Sequence, residues 1–344
     1  MLTVHDALAG DAAPSGLAEL VQACTAHDGH APFEEHTLLT LDGGRQVPHA
    51  RVALTASGRL AGCALLSEGI DGWVVEAAVH PGLRGRGLGR QLLGEVGEHV
   101  ASHGGGLVRA WVHGHGAAAQ ALADTAGARV DRRLLVLERP LVDLPADRCQ
   151  EGTLLRRLDT TDDGDRDAWL ALSNAAFTGH PDNGKWTRAD LDWRLDAAWT
   201  DARRFPVVID AFGLAAGVWT KSEPGRTVGE LYVVAVHPRA QGRRLGRVVV
   251  TAALRDLHAA GCHHAVLYVD ATNTAALALY TWAGFTTGVE HRCLAAHVSG
   301  NANANANANA NDYDQERQLR PAPQPRPAPT ADPHPQRPVA LDQA

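Results

Sequence analysis

The chain repeats itself, and the repeat limits its possible folds more than any other feature. The segments Val74–Leu93 (VVEAAVHPGLRGRGLGRQLL) and Val233–Val250 (VVAVHPRAQGRRLGRVVV) read alike. Aligning His80 with His237 gives an offset of 157 residues (237 − 80). The same offset pairs Pro81 with Pro238, Arg86 with Arg243, Leu88 with Leu245, Gly89 with Gly246 and Arg90 with Arg247. It runs without a gap through Gly104/Gly261 and Val112/Val269 to Gly127/Gly284. Register kept over so many residues marks a tandem duplication. The expected domains are 1–145 and 150–298, joined through the turn-rich stretch Leu141–Glu151.

Each copy has the same order of elements. An apolar strand (Trp73–Val79; Glu230–Val236) leads into a Gly/Arg-rich turn and then a helix of 3.6-residue apolar period. A Gly-punctuated turn, a strand (Leu107–Val112; Ala265–Val269) and a short Ala-rich helix follow. A last strand (Ala128–Leu137; Phe285–Leu294) is expected to close each copy. A helix and a hairpin such as Val52–Ser67 lie upstream. The fold class is α+β, with a mostly antiparallel sheet in each copy and helices on its faces. From residue 299 the chain turns into Asn-Ala repeats and then a stretch with eight prolines in its last 24 residues. No apolar period there offsets ordering entropy, so 299–344 is expected to be a disordered tail.

Composition excludes several classes. A net charge of −7 argues against a nucleic-acid partner. No apolar run is long enough to span a bilayer, and no signal peptide opens the chain. The five cysteines (Cys24, Cys63, Cys149, Cys262, Cys293) form no CxxC pair, which fits a reducing cytoplasm. Metal binding finds no support, because His263-His264 and His113-x-His115 lack further ligand spacing. The expectation is a cytoplasmic monomer acting on a small molecule.

The turn Arg84-Gly85-Arg86-Gly87-Leu88-Gly89 sits between strand and helix. Glycines there let backbone N–H groups at a helix start approach an anion, and arginines add charge. The second copy reads Gln241-Gly242-Arg243-Arg244-Leu245-Gly246-Arg247, with Arg244 in place of a glycine. Both turns resemble the R/Q-x-x-G-x-G/A turn of the GCN5-related N-acetyltransferase (GNAT) superfamily. The resemblance implies two tandem GNAT domains and acetyl-CoA as co-substrate, with its pyrophosphate in this turn. The spacing does not fit a dinucleotide-binding GxGxxG.

Acetyl transfer to an amine needs a base, an oxyanion site and a proton donor for the departing thiolate. Glu230 heads an apolar strand where burial favours a usable base, and alternation places Glu230, Tyr232, Val234 and Val236 on one face. Tyr280, on the short helix after Asn273, is a candidate proton donor. A plain strand-end acid and a core tyrosine are the alternative readings of these two residues. The first copy holds Trp73 and Ala123 at the equivalent places, and Glu76 lies three positions along, on the strand face opposite to Trp73. The second copy is therefore expected to be the catalytic one.

A narrower resemblance covers roughly 1–297. The segment Ser173-Asn174-Ala175-Ala176-Phe177-x-x-His180-Pro181-Asp182-x-Gly184-x-Trp186-Thr187 resembles the mycothiol synthase family, as do Trp219-Thr220-Lys221, Glu230-Leu231-Tyr232 and Leu267-Tyr268-Val269-x-x-x-Asn273. This implies transfer of acetyl to the cysteinyl amine of a cysteine–glucosamine–inositol conjugate. Glu230 is then the base and Tyr280 the acid, with substrate contacts from Glu35, Asp182, Lys221, Glu230 and Tyr268. Acetyl-CoA would lie along Val234, Ala235, Val236, Gln241, Gly242, Arg243, Arg244, Leu245, Gly246, Arg247, Asn273, Thr274, Ala275, Ala276, Leu277 and Ala278. In the first copy it would lie along Ala77, Ala78, Val79, Arg84, Gly85, Arg86, Gly87, Leu88 and Gly89. Glu35 as an exposed acid, Asp182 as a turn residue, Lys221 as a solvated lysine and Tyr268 as core remain the plain readings. The rivals are a tandem acetyltransferase for another amine (a peptide N-terminus or an aminoglycoside) and a non-enzymatic acyl-CoA sensor.

Overall fold

The computed structural model describes residues 3–6, 15–34, 37–38, 49–54, 59–69, 71–114, 116–179, 186–197, 199–223 and 225–301. For 3–6, 49–54 and Ala202 only the backbone is described. The tail expected from 299 onward lies outside these residues beyond Asn301.

The first half runs β1 (Thr3–Asp6), α1 (Leu17–Asp28), β2 (His49–Leu54), β3 (Leu60–Gly69), β4 (Gly72–Val79), α2 (Leu88–Ser102), β5 (Gly105–Val112), α3 (Ala117–Thr125) and β6 (Arg129–Pro140). The second runs β7 (Leu154–Arg157), α4 (Asp163–Ala176), α5 (Arg188–Leu195), β8 (Pro206–Asp210), β9 (Gly213–Lys221), β10 (Val228–Val236), α6 (Leu245–Ala259), β11 (His264–Asp270), α7 (Thr274–Trp282) and β12 (Thr286–Ser299). Local chemistry sets the boundaries. Asp162 caps α4 by accepting the Asp165 N–H at 2.8 Å, Thr187 and Asp190 form a capping box on α5, and Asn273 caps α7. α6 buries Leu245, Val248, Val249, Ala252, Ala253 and Leu257, a helical stripe. No helix among the described residues is long and apolar enough to cross a membrane.

The α+β class and the paired halves match the sequence reading, but the closing strands do not. All strands join one sheet of order β1-β2-β3-β4-β5-β12-β6-β11-β10-β9-β8-β7. Each half's last strand is thus separated from its own half by the other half's last strand. β12 pairs with β5 from Arg292↔Val112 to Ser299↔Gly105, and β6 pairs with β11 from His264↔Pro140 to Asp270↔Leu134. At the centre β6 and β12 pair with each other. Sequence period cannot reveal this, because a strand's alternation reports its faces and not its neighbours.

The exchange mixes the two cores. Leu137 and Leu141, from the end of the first half, are buried in the cluster built on α6, α7, β10 and β11. Burying each contributes about 1.5–3 kcal/mol. Val298 of β12 packs in turn against the first half's Trp73, Leu92 and Val100 cluster. Arg139, at the end of β6, is buried and donates to the carbonyls of Ala283, at the C-terminus of α7, and of Val142 and Pro140. It satisfies a helix-end carbonyl that has no partner within the helix.

Fragments 1–145 and 150–301 expressed separately should therefore aggregate, since β5 and β11 would each expose an unpaired edge. Co-expressed, they should form a 1:1 complex by size-exclusion chromatography. A 150–301 fragment that stays monomeric and unfolds cooperatively would contradict this.

Candidate active site

In both halves two parallel strands pair briefly and then part. β4 and β5 pair over Trp73–Val75, and β10 and β11 over Val228–Glu230. Glu230, opposite Val266, is the last paired residue before β10 and β11 diverge.

A bulge decides where Glu230 points. The β9–β10 register slips between Leu231 and Val233, while β3–β4 has no such slip. Leu231, Val234 and Val236 pack with the α6 cluster, whereas Tyr232, Val233 and Ala235 pack with Trp169 and Trp219 on the α4 face. The expected common face of Glu230, Tyr232, Val234 and Val236 is thus corrected. The extra residue reverses the alternation, leaving Glu230 and Tyr232 on the α4 face and Val234 and Val236 on the α6 face. Glu230 lies across from Lys221, whose Nζ is 4.8 Å from the Trp199 ring centroid and 5.6 Å from that of Tyr232. Without a bulge, Trp73 takes the α2 face, 5.7 Å from the His99 ring. Glu76 takes the α1 side, the counterpart of the Glu230 side. It accepts hydrogen bonds from the Glu34 N–H and the Thr37 hydroxyl, and burial raises its carboxyl pKa.

A cleft of about 800 Å³ runs through the fork. It is lined by Val234, Val236, Gln241, Gly242, Arg244, Leu245, Gly246, Arg247, Asn273, Ala275, Ala276, Ala278 and Tyr280, and by Phe177–Gly179 at the end of α4. Of the cofactor set, Ala235 is fully buried on the opposite face, and Arg243 is turned onto Asp210 at 2.6 Å. Thr274 and Leu277 lie on α7 outside the lining. Tyr280 is 6% exposed, its ring set edge-on to Phe285, and burial raises its phenol pKa above the ordinary value, so it stays protonated. Tyr268 is on the α4 side, because its neighbours Leu267 and Val269 pack under α6. It is 48% exposed and stacks on His291 at 6.0 Å, which corrects the core reading. Lys221, Glu230 and Tyr268 therefore share a face. Glu35 and Asp182 lie outside the described residues.

The residues present fit an anionic ligand. α4, α5 and α7 have side-chain N-caps; α1, α2, α3 and α6 begin at Gly16, Gly87, Gly116 and Arg244 with none, and of these α2 and α6 follow the Gly/Arg-rich turns. The first-turn N–H groups of α2 and α6 face the turn, the arrangement that binds phosphate. Arg244 adopts φ 57°, the left-handed conformation that Gly87 holds at 84°. The turn therefore keeps its shape without glycine, at a cost of about 1 kcal/mol. In the first half Ala77–Val79 end β4, and Arg84 is committed to Asp28 through two hydrogen bonds of 2.7 and 2.6 Å. Sequence reading missed Asp210, Trp199 and Arg132. Asp210 is buried between Arg239 and Arg243 and anchors the second turn; it sits in a β8–β9 hairpin that carries no local motif.

The acetyltransferase (GNAT) family model matches residues 17–128 and again 167–285, and the chain belongs to that family. It is 41% identical over 280 residues to a mycothiol acetyltransferase of Salinispora tropica, covering 79% of this chain and 89% of that protein. A mycothiol acetyltransferase of Salinispora arenicola is 42% identical over 281 residues, with the same coverage. Within the superfamily the chain is thus a member of the mycothiol acetyltransferase family. A tandem GNAT protein from the clavulanic acid biosynthesis pathway shares the fold, with a TM-score of 0.66 at 18% identity, covering 88% of this chain and all of that one.

Arg244→Gly should relieve the left-handed strain and stabilise the chain by about 1 kcal/mol, read as a higher urea midpoint, while Gly87→Ala should cost a similar amount. Burial pushes the Asp210 carboxyl up, but its bonds to Arg239, Arg243 and the Phe212 N–H more than offset that and hold it below the carboxylate range. A lowered folded-state pKa gives stability that is present above the unfolded value, about 4, and is lost as pH falls below it. Asp210→Asn should lower the melting temperature at pH 7 and narrow the gap to wild type as the pH is taken below about 4.

Proposed function

We propose that this chain transfers acetyl from acetyl-CoA to the cysteinyl amine of 1D-myo-inositol 2-(L-cysteinylamino)-2-deoxy-glucopyranoside, the step that forms mycothiol. The observation that carries the reading is the bulge in β10. It sets Glu230 where the fork opens, on the face of Lys221 and Tyr268, with Tyr280 lining the cleft beyond it. The similarity to mycothiol acetyltransferases supplies the acceptor.

Acetyl-CoA would be held by the first-turn N–H groups of α6, by Arg244 and Arg247, and along Val234, Val236 and the start of α7. Glu230, through a water, takes a proton from the acceptor ammonium, and the freed amine forms the C–N bond as the C–S bond breaks. Tyr280 gives its proton to the leaving sulfur and is reprotonated by the second proton that the nitrogen sheds on becoming an amide. The raised phenol pKa keeps it a donor at neutral pH. Lys221 and Tyr268, together with Glu35 and Asp182, engage hydroxyls of the sugar and inositol. The first half acts as scaffold and wall: Trp73 and Ala123 are the sequence counterparts of Glu230 and Tyr280, and Glu76, on the equivalent face, is held by the Glu34 N–H and the Thr37 hydroxyl. In this reading the chain is a cytoplasmic monomer on a small-molecule substrate, without nucleic acid, membrane or metal, its sheet completed within one chain.

Incubation with acetyl-CoA and the cysteinyl conjugate should release CoA and yield an amide-acetylated product by mass spectrometry; a peptide N-terminus or an aminoglycoside should give no release above background. Glu230→Gln should cut kcat about 10²- to 10⁴-fold, and Tyr280→Phe about 10²-fold, with CoA binding kept in both. Normal turnover by Glu230→Gln would remove Glu230 as the base.

A further inference from the structure

We infer that the first half supplies an anion-binding residue, Arg132 of β6, to the acetyl-CoA cleft of the second half. The inference rests on the proposed location of acetyl-CoA in the cleft through the β10–β11 fork.

The strand exchange places Arg132 there. β6 runs beside β11, and Ala271, just past the end of β11, donates its N–H to the Arg133 carbonyl at 2.9 Å. Arg132 thereby lines the same cleft as Arg244, Arg247, Asn273 and Tyr280. Its Nε donates to Asp270 Oδ2 at 3.2 Å, and its guanidinium carbon lies 5.5 Å from the Trp111 ring centroid. Both side chains of the ion pair are mostly covered, at 20% and 17% exposed. Asp270 also accepts from the Thr272 N–H and hydroxyl through its other oxygen. A planar guanidinium held by its Nε edge and by a ring face is oriented before any ligand arrives, which lowers the entropy cost of gripping a phosphate or carbonyl oxygen. The mouth of the cleft then carries Arg132, Arg244 and Arg247 against the acid Asp270. Coenzyme A, with its three phosphates, is the ligand such a rim favours.

The duplication provides an internal control. At the offset of 157, Arg132 corresponds to Val289 on β12 and Asp270 to His113 at the end of β5. The two seam positions are true counterparts, since Arg132 pairs with Cys293 where Val289 pairs with Val136. Val289 Cγ1 would be 3.7 Å from a Cβ placed on Gly114, the residue after His113. Burial lowers the His113 pKa to about 4, so the first half has a valine and a neutral imidazole where the second has an arginine and a carboxylate. The second half thus receives a cation from its partner half, and the first half receives none in return at this place.

The test is calorimetric titration of the full chain with CoA at two salt concentrations, for wild type, Arg132→Gln, Arg132→Lys and Asp270→Asn. Arg132→Gln should raise the Kd of CoA about tenfold, the loss of one charge-assisted contact, and flatten its salt dependence. Arg132→Lys should recover part of the affinity. Asp270→Asn keeps an acceptor for the Arg132 Nε while removing the acid from the cleft mouth, so it should leave the Kd unchanged or lower it. Unchanged CoA affinity in Arg132→Gln overturns the inference. So does a loss in Asp270→Asn as large as that in Arg132→Gln, because Arg132 would then act only by holding the start of α7. A wild-type chain that binds no CoA overturns this inference together with the proposed function, whereas intact binding that ignores position 132 overturns this inference alone.

Discussion

The structure depends on the backbone ladder at its centre, where β6 and β12 lie between β5 and β11. A strand with one side unpaired leaves a row of N–H and C=O groups seeking partners. Here each half's last strand fills that row for the other half, so neither sheet is complete alone. The same ladder carries Leu137 and Leu141 into the second core and Val298 into the first, and it brings Arg139 under the end of α7. Two copies of one unit share one continuous sheet, and residues of one half border the cleft of the other.

Within that frame one bulged residue in a strand makes the two copies differ in structure. β4 and β10 align without a gap, yet Trp73 points toward the α2 core and Glu230 toward the opposite side. Strand side chains alternate with a period of two, so a bulge inverts every side chain on its far side. The bulge at Tyr232 turns the head of β10, and with it Glu230, toward Lys221 and Tyr268. It also gathers Trp199, Trp219 and Tyr232 beneath Lys221, with Trp199 and Tyr232 rings 4.9 Å apart. In the first half the unbulged strand aims Glu76 at the Glu34 N–H and the Thr37 hydroxyl. The carboxylates of the two halves thus reach equivalent faces by different routes, and the Arg84–Asp28 pair binds the first turn to its own helix.

Much of the site was legible from neighbouring residues. The Gly/Arg-rich turns before α2 and α6 and the Asn273 cap are local, since glycine spacing and a cap side chain are written in a few consecutive residues. Tyr280 was singled out from its place on the short helix after Asn273, and it lines the cleft. The face of Val234 and Val236 was misread, because a bulge leaves no gap in the sequence and depends on how β10 meets β9. Asp210 and Trp199 carried no local signal, as their roles arise from partners 29 and 22 residues away.

By itself the sequence determined the duplication, the α+β elements, the two Gly/Arg-rich turns between strand and helix, and Glu230 and Tyr280 at positions where the first copy has Trp73 and Ala123. These follow from periodicity and from backbone conformations that particular residues permit. The tertiary structure alone decided which strand lies beside which, which way Glu230 faces, and that Arg132 of the first half borders the cleft of the second. Those outcomes rest on hydrogen bonds between strands far apart in the chain, and a period of two or of 3.6 residues holds no record of a strand's neighbour.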